Sequence, residues 1–244
     1  MVKLVYQNEF GAGHMVSDEK ASLERIKEEI HTGLHDPEPS FGRFMPLGNG
    51  LCRLHLAGID KTGLTPETLN RLFVTSANQV QGEARRFKDK LLLLRGLLEE
   101  MSRQRDLTSL DEFMEQYDFS TCPPISHSPL YRRHYLPRYR VVMLDAWLYL
   151  ELFARIDQLL SRDMPVILGL DGPCGSGKST LADLLHTVYG GALISMDHFF
   201  LPPEKRTVGR LQEPGGNVDY ERFLNEVAEP LVQGRPFSYH VFNC

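Results

Sequence analysis

Residues 164–189 constrain this chain more than any other stretch. An apolar run, Val166-Ile167-Leu168-Gly169-Leu170, leads into Asp171-Gly172-Pro173-Cys174-Gly175-Ser176-Gly177-Lys178-Ser179-Thr180. Leu181-Ala182-Asp183-Leu184-Leu185-His186 follows with helical spacing. Strand, glycine-rich turn and helix in that order match the phosphate-binding spacing G-x-x-x-x-G-K-[ST]. Gly172, Gly175 and Gly177 free the backbone to form a concave nest whose N–H groups point at phosphate oxygens. The helix that follows offers its positive N-terminal end to the same anion. Gly172, Pro173, Cys174, Gly175, Ser176, Gly177 and Thr180 are therefore expected to cradle a nucleoside triphosphate. Lys178 reaches the β- and γ-phosphates, and the Ser179 hydroxyl sits on Mg²⁺. The plain alternative is a glycine-rich turn that only joins a strand to a helix.

A second apolar run, Ala192-Leu193-Ile194-Ser195-Met196, ends in Asp197-His198-Phe199-Phe200. Read as a second buried parallel strand, it completes an α/β expectation: a P-loop NTPase parallel sheet with helices, incomplete, preceded by a mostly helical α+β domain. Ligands of open α/β sheets bind outside the carboxyl ends of the strands, which would place Asp197 at the site. Its carboxylate either accepts a proton from an attacking hydroxyl, helps to hold Mg²⁺ through water, or simply caps the next turn.

The pattern divides the chain into residues 1–120, a Pro/Arg-rich linker at 121–140, and a nucleotide-binding part at 141–244. In the first part, short strands are expected at residues 3–7 and 51–56. Asp18 and Glu19 open a helix to about His31, and Thr65-Pro66-Glu67 caps another to about Gln81. After Gly82, Phe87, Leu91, Leu94, Leu98 and Met101 form a four-three-four-three stripe, read as a core face or a helical hairpin in preference to a dimer zipper. Ser109 and Glu112 fit a capping box. Two segments rich in Gly, His and Arg, residues 10–15 and 47–55, have the character either of a ligand site or of tight turns. In the linker, Arg132, Arg133, Arg138 and Arg140 cluster with His127 and His134, either as an anion contact or as a solvated surface. Residues 141–162 read as one helix.

With 42% hydrophobic and 24% charged residues among 244, the chain has the composition of an ordinary globular protein. A net charge of −5 argues against nucleic acid or an anionic membrane as the main partner. No run approaches the ~20 apolar residues of a membrane span, and the N-terminus turns polar too early for a signal peptide. Cys52, Cys122, Cys174 and Cys244 form no metal-ligand pair and suggest reduced thiols in a cytoplasm. Cys174 lies inside the loop, where its oxidation would block nucleotide.

From Asp171 onward the sequence resembles the uridine kinase and phosphoribulokinase-like family of phosphate-loop kinases. The resemblance rests on the loop, on residues 195–202 (Ser-Met-Asp-His-Phe-Phe-Leu-Pro), on residues 210–223 with Glu213-Pro214-Gly215-Gly216-Asn217, and on residues 236–244 as a substrate-side hairpin. The stretch at residues 131–140 also looks like what precedes such domains. The resemblance implies an ATP- and Mg²⁺-dependent phosphotransferase acting on the 5′-hydroxyl of uridine or cytidine. It implies Asp197 and Lys178 as catalytic residues, Asp219 (or Glu213) on the ribose hydroxyls, and Tyr239 and His240 with Phe237 and Phe242 against the base. Relatives continue with further strands and an arginine-bearing lid, so the sequence reads as truncated, a fragment expected to bind nucleotide weakly or not to turn over. Relatives often assemble, so a homo-oligomer remains open. A nucleotide-binding sensor without turnover is the alternative from another class.

Overall fold

The computed structural model describes residues 1–12, 16, 18–34, 42–101, 107–162 and 164–242. The chain forms two compact units, one of Met1–Gly172 with Thr187–Tyr189 and one of Pro173–His186 with Gly190–Cys244.

The first unit is built on three antiparallel strands in the order β1 (Phe44–Gly48), β2 (Leu51–His55), β3 (Tyr139–Met143). Asn49 and Gly50 join β1 to β2 with φ of 56° and 70°, the left-handed pair that a two-residue hairpin turn demands. Strand pairing fixes which side chains share a face. Arg53 lies opposite Val141 and His55 opposite Tyr139, so these four point one way. Cys52, Leu54, Arg140 and Val142 point the other.

Helices cover both faces. Helix α1 (Val2–Phe10) replaces the strand expected at residues 3–7. Its apolar residues recur at helical rather than alternating spacing, and Val2, Val5, Tyr6 and Phe10 pack around Phe87. The ring of Tyr6 meets Phe87 edge-on at 5.6 Å and Phe10 does so at 5.5 Å. Helix α2 (Glu19–Thr32) starts as expected, with Asp18 accepting from the N–H groups of Lys20 and Ala21. Helix α3 (Pro66–Gln79) is capped by Thr65. The carboxylate of Asp157 locks that start by accepting from Thr65 N, Thr65 Oγ1 and Thr68 Oγ1. In helix α4 (Ala84–Met101), Phe87, Leu91 and Leu98 are buried and Leu94 half-buried, whereas Met101 is 77% exposed. The stripe is a core face that packs within this chain.

Helix α5 (Thr108–Gln116) starts after Leu107 with no side-chain cap, so the expected Ser109–Glu112 box does not form. Residues 121–140 carry helix α6 (Pro129–Tyr135), capped by Ser128, and the opening of β3. The single helix expected over residues 141–162 is instead the end of β3, then α7 (Leu144–Leu148) and α8 (Leu150–Leu160). Val141 and Val142 are β-branched residues fully taken up by pairing with β2, which overrides the helical pattern behind them.

Among the described residues, the expected parallel sheet is absent. The described strands form one antiparallel sheet in the first unit, and the chain is otherwise mostly helical. Neither residues 166–170 nor residues 192–196 form a strand. A parallel strand needs a paired neighbour and helices over both faces. Here Ile167, Leu168, Leu170 and Leu193 are exposed, and their backbones enter no ladder. The hairpin expected at residues 236–244 is likewise not a strand pair over residues 236–242, and Asn243 and Cys244 lie outside the described residues.

The second unit holds α9 (Lys178–Tyr189), whose last turn belongs to the first unit, then α10 (Val208–Gln212), α11 (Tyr220–Phe223) and α12 (Glu229–Val232). Its buried residues include Leu185, Phe199, Leu201 and Val227. No described helix is long and apolar enough to cross a membrane.

Candidate functional site

The glycine-rich segment folds as a turn that runs directly into a helix. Gly175 and Gly177 take φ of 74° and 85°, and Gly172 takes 156°. Gly177 is the N-cap of α9 and offers no side chain to the helix's first N–H groups. A Cβ built on Gly175 or Gly177 meets no atom within 4 Å, so the glycines are required by their dihedrals and not by crowding. The turn is closed by Ser176 N–H donating to Pro173 O, and the Lys178 ammonium donates to the same carbonyl at 2.8 Å. Lys178 is half-buried, while Pro173, Cys174, Ser176, Ser179 and Thr180 face solvent.

A second cluster forms around the short 3₁₀ turn Met196–Phe199. Phe199 is fully buried, with Tyr239 at 5.0 Å, Phe223 edge-on at 5.3 Å and the Arg222 guanidinium 4.5 Å above its ring. Arg222 donates to the backbone carbonyls of His198 and His240, and His198 Nδ1 lies 3.1 Å from the Tyr239 hydroxyl. Phe242 N–H donates to His198 O. The final described residues are thus pinned to this turn by single hydrogen bonds in place of a strand ladder.

Asp219 is 2% exposed and fully engaged. One carboxylate oxygen caps α11 through Arg222 N, and the other pairs with Lys205 at 2.9 Å. Burial pulls its carboxyl upward, but the Lys205 ammonium and the Arg222 N–H outweigh this and hold it below the usual carboxylate range. Beside it, Arg210 stacks on Tyr220 at 3.6 Å and grips Glu221 at 2.9 and 2.8 Å. This clamp shapes the Pro-Gly-Gly-Asn turn. A Cβ on Gly216 would collide with Arg210 O at 1.8 Å, so only glycine fits there.

The structure therefore brings Asp219, Tyr239 and His240 to one turn, and Asp197 lies on that turn as well. The Asp197 carboxylate is exposed and takes no hydrogen bond or ion pair among the described residues; its backbone N–H donates to Ser195 Oγ. Glu213 accepts from the Tyr220 hydroxyl. No group of three or more His, Cys, Asp or Glu among the described residues is arranged to hold a metal.

Three cysteines, Cys52, Cys122 and Cys174, are free thiols, and burial pushes Cys52 up to about 12. Cys174 is exposed on the loop. Of the glycine-rich segment at residues 10–15, His14 and Met15 lie outside the described residues with Gly13. A concavity of about 550 Å³ in the first unit is lined by Arg43, Thr62, Trp147, Glu151, Arg155 and Gln158 among others, and by none of the residues singled out from the sequence.

Gln7 and Tyr139 escaped sequence reasoning. Gln7 is 1% exposed and contacts Arg53 and Tyr139 across 46 and 132 residues of sequence. No local pattern signals such a contact. Comparison with known protein families, with characterised proteins and with solved structures finds no match for this chain.

Proposed function

We propose that this chain binds the phosphates of a nucleoside triphosphate on the loop at residues 172–180 and belongs to an ATP-dependent phosphotransferase of the uridine kinase type, working in a cytoplasm. The observation that carries the reading is the run of positive-φ glycines ending at the uncapped start of α9. A helix start without a side-chain cap, a helix dipole and one ammonium in the same turn are the parts an oligophosphate needs.

In this reading Lys178 leaves Pro173 O to reach the β- and γ-phosphates. Ser179 holds Mg²⁺ together with the nucleotide's own oxygens. A single protein hydroxyl would suffice there, because Mg²⁺ would take its other ligands from water and the nucleotide phosphates. When bound, Mg²⁺ neutralises charge developing on the transferred group. Asp197 is the base that takes the proton of the acceptor hydroxyl, and Tyr239 and His240 contact the acceptor, most simply a pyrimidine nucleoside. Asp219 supports this indirectly, since its carboxylate is committed to Lys205 and to the cap of α11.

The test is transfer of labelled γ-phosphate from Mg-ATP to a nucleoside panel, run on the chain and on Asp197→Asn and Lys178→Ala. Transfer to uridine or cytidine that is lost in Asp197→Asn while ATP affinity persists supports the assignment. Transfer that survives Asp197→Asn removes the proposed base. ATP binding with no transfer to any acceptor replaces the kinase by a nucleotide sensor, a reading favoured by the free, unassembled Asp197 carboxylate. Failure to bind ATP ends both.

A further inference from the structure

Two arginines, Arg53 and Arg140, sit on neighbouring strands of the antiparallel sheet, and each is 4% exposed. They point to opposite faces. Arg140 has a counter-charge: its guanidinium lies at 2.8 Å from a Glu29 carboxylate oxygen, over the ring of Phe73. Arg53 has none. Its Nε and Nη2 donate to the amide oxygen of Gln7, and its guanidinium lies 4.4 Å from the centroid of the Tyr139 ring. Tyr131 is its remaining partner. All are neutral. A buried cation with only neutral partners is costly, and proteins normally supply a carboxylate or a bound anion.

The groups around Arg53 add positive charge. Lys3 stands one helical turn before Gln7 on α1, on the same helix face. Burial, then the nearness of Arg53 and Arg132, lowers its ammonium to about 8. His127 Nε2 lies 2.6 Å from the Tyr139 hydroxyl, and its ring stacks on Tyr131 at 4.4 Å. The charges acting on His127 are also cationic, with Lys3, Arg53 and Arg132 foremost. Among the described residues, no carboxylate pairs with Lys3, Arg53 or Arg132. Three segments (α1, β2 and α6) thus bring cations to one side of β2 with no acid among the described residues, and the imidazole of His127, from the segment before α6, lies among them.

We infer that this face of the sheet is a binding site for a phosphate group, with the buried Arg53 guanidinium as its base and Lys3, Arg132 and His127 as its rim. A phosphate suits it better than a carboxylate because Arg53, Lys3 and Arg132 together favour a ligand charge near −2 over −1, and the guanidinium fork pairs with two phosphate oxygens. The site is independent of the glycine-rich loop, and neither depends on the other being right.

The experiment uses the Lys178→Ala variant of this whole 244-residue chain, so that phosphate bound at the loop does not obscure the reading, and inorganic phosphate as the probe. The readouts are the Arg53 Nε–H and His127 ring signals in NMR and the thermal midpoint. The expected result is a saturable shift of both signals with a rise in midpoint, weakened about tenfold or more by Arg53→Met. Without phosphate, Arg53→Met folds and melts at or above the parent midpoint, since it removes an uncompensated buried charge. If that variant does not fold, the rim variants Lys3→Ala and Arg132→Ala decide, each expected to weaken phosphate severalfold. Unmoved Arg53 and His127 signals, phosphate affinity unchanged in the foldable variants, or acetate binding as tightly as phosphate overturns the proposal.

Discussion

The loop at residues 173–180 offers an anion bare backbone in open solvent, whereas the Arg53 face of the sheet offers a charged side chain from the protein interior. On the loop, positive-φ glycines and an uncapped helix start supply partial charges that water screens. On the sheet, a full guanidinium charge sits among Gln7, Tyr139 and Tyr131, where water is largely excluded. The first arrangement costs the fold little and binds by geometry. The second imposes a standing cost on the empty protein, which a ligand relieves. In the two proposals, local chain conformation makes one anion site and long-range packing makes the other.

The largest effect expected is at the loop. Lys178→Ala should cut phosphate transfer by about three powers of ten or more, and Asp197→Asn by about two to four, with ATP affinity nearly kept in the second. Steady-state kinetics and an equilibrium ATP titration measure both. Equal loss of ATP binding in Asp197→Asn would place that carboxylate at the phosphates and not at the acceptor.

Next comes the contrast between the two buried arginines. Glu29→Gln removes the counter-charge of Arg140 and should destabilise the first unit by about 1–3 kcal/mol, read by denaturant unfolding. The range is modest because Glu29 is one-third exposed. Arg53→Met should cost nothing in phosphate-free buffer. Equal destabilisation by both would erase the distinction between a paired and an unpaired buried charge.

Gly177→Ala sharpens the comparison from the loop's side. No atom blocks the added methyl, so only the φ of 85° opposes it, at about 1–2 kcal/mol. ATP affinity should fall roughly tenfold by titration, with phosphate binding at the Arg53 face unchanged.

The smallest effect is a pH dependence. Burial first, then Arg53, lowers His55 to about 4, and burial with Lys3 and Arg53 does the same to His127. In the unfolded chain each returns to about 6.5. Between those values the unfolded chain binds more protons, so stability is full above pH ~6.5 and declines as pH falls toward 4. Thermal midpoints across that window measure it. Saturating phosphate should flatten the decline, since an anion beside His127 favours its charged form. An unflattened decline would leave the rim assignment without His127.

Much of the local structure was legible in the sequence. The Asp18 and Thr65 caps open α2 and α3 because a side-chain oxygen and two or three N–H groups settle a helix start locally. The turn at residues 173–180 was readable for the same reason, through its glycines. Misreadings arose where a short apolar run has no local arbiter. Val2, Val5 and Tyr6 became helix because Phe87 and Phe10 needed them on one stripe. Val141 and Val142 became strand because β2 offered them partners. Residues 166–170 and 192–196 look like buried strands in isolation, but a strand is a property of a pair, and no described partner pairs with them.

The amino-acid sequence alone determined the Asp18 and Thr65 helix starts and the glycine-rich turn before α9, because those depend on residues within a few positions of one another. Tertiary structure alone decided that the sheet is antiparallel and that Arg140 finds Glu29 across 111 residues of sequence. It also decided that Arg53 meets Gln7, Tyr139 and the Lys3 and His127 rim with no acid among the described residues. Charge compensation in a protein interior depends on which distant segments pack together, and no local spacing encodes that.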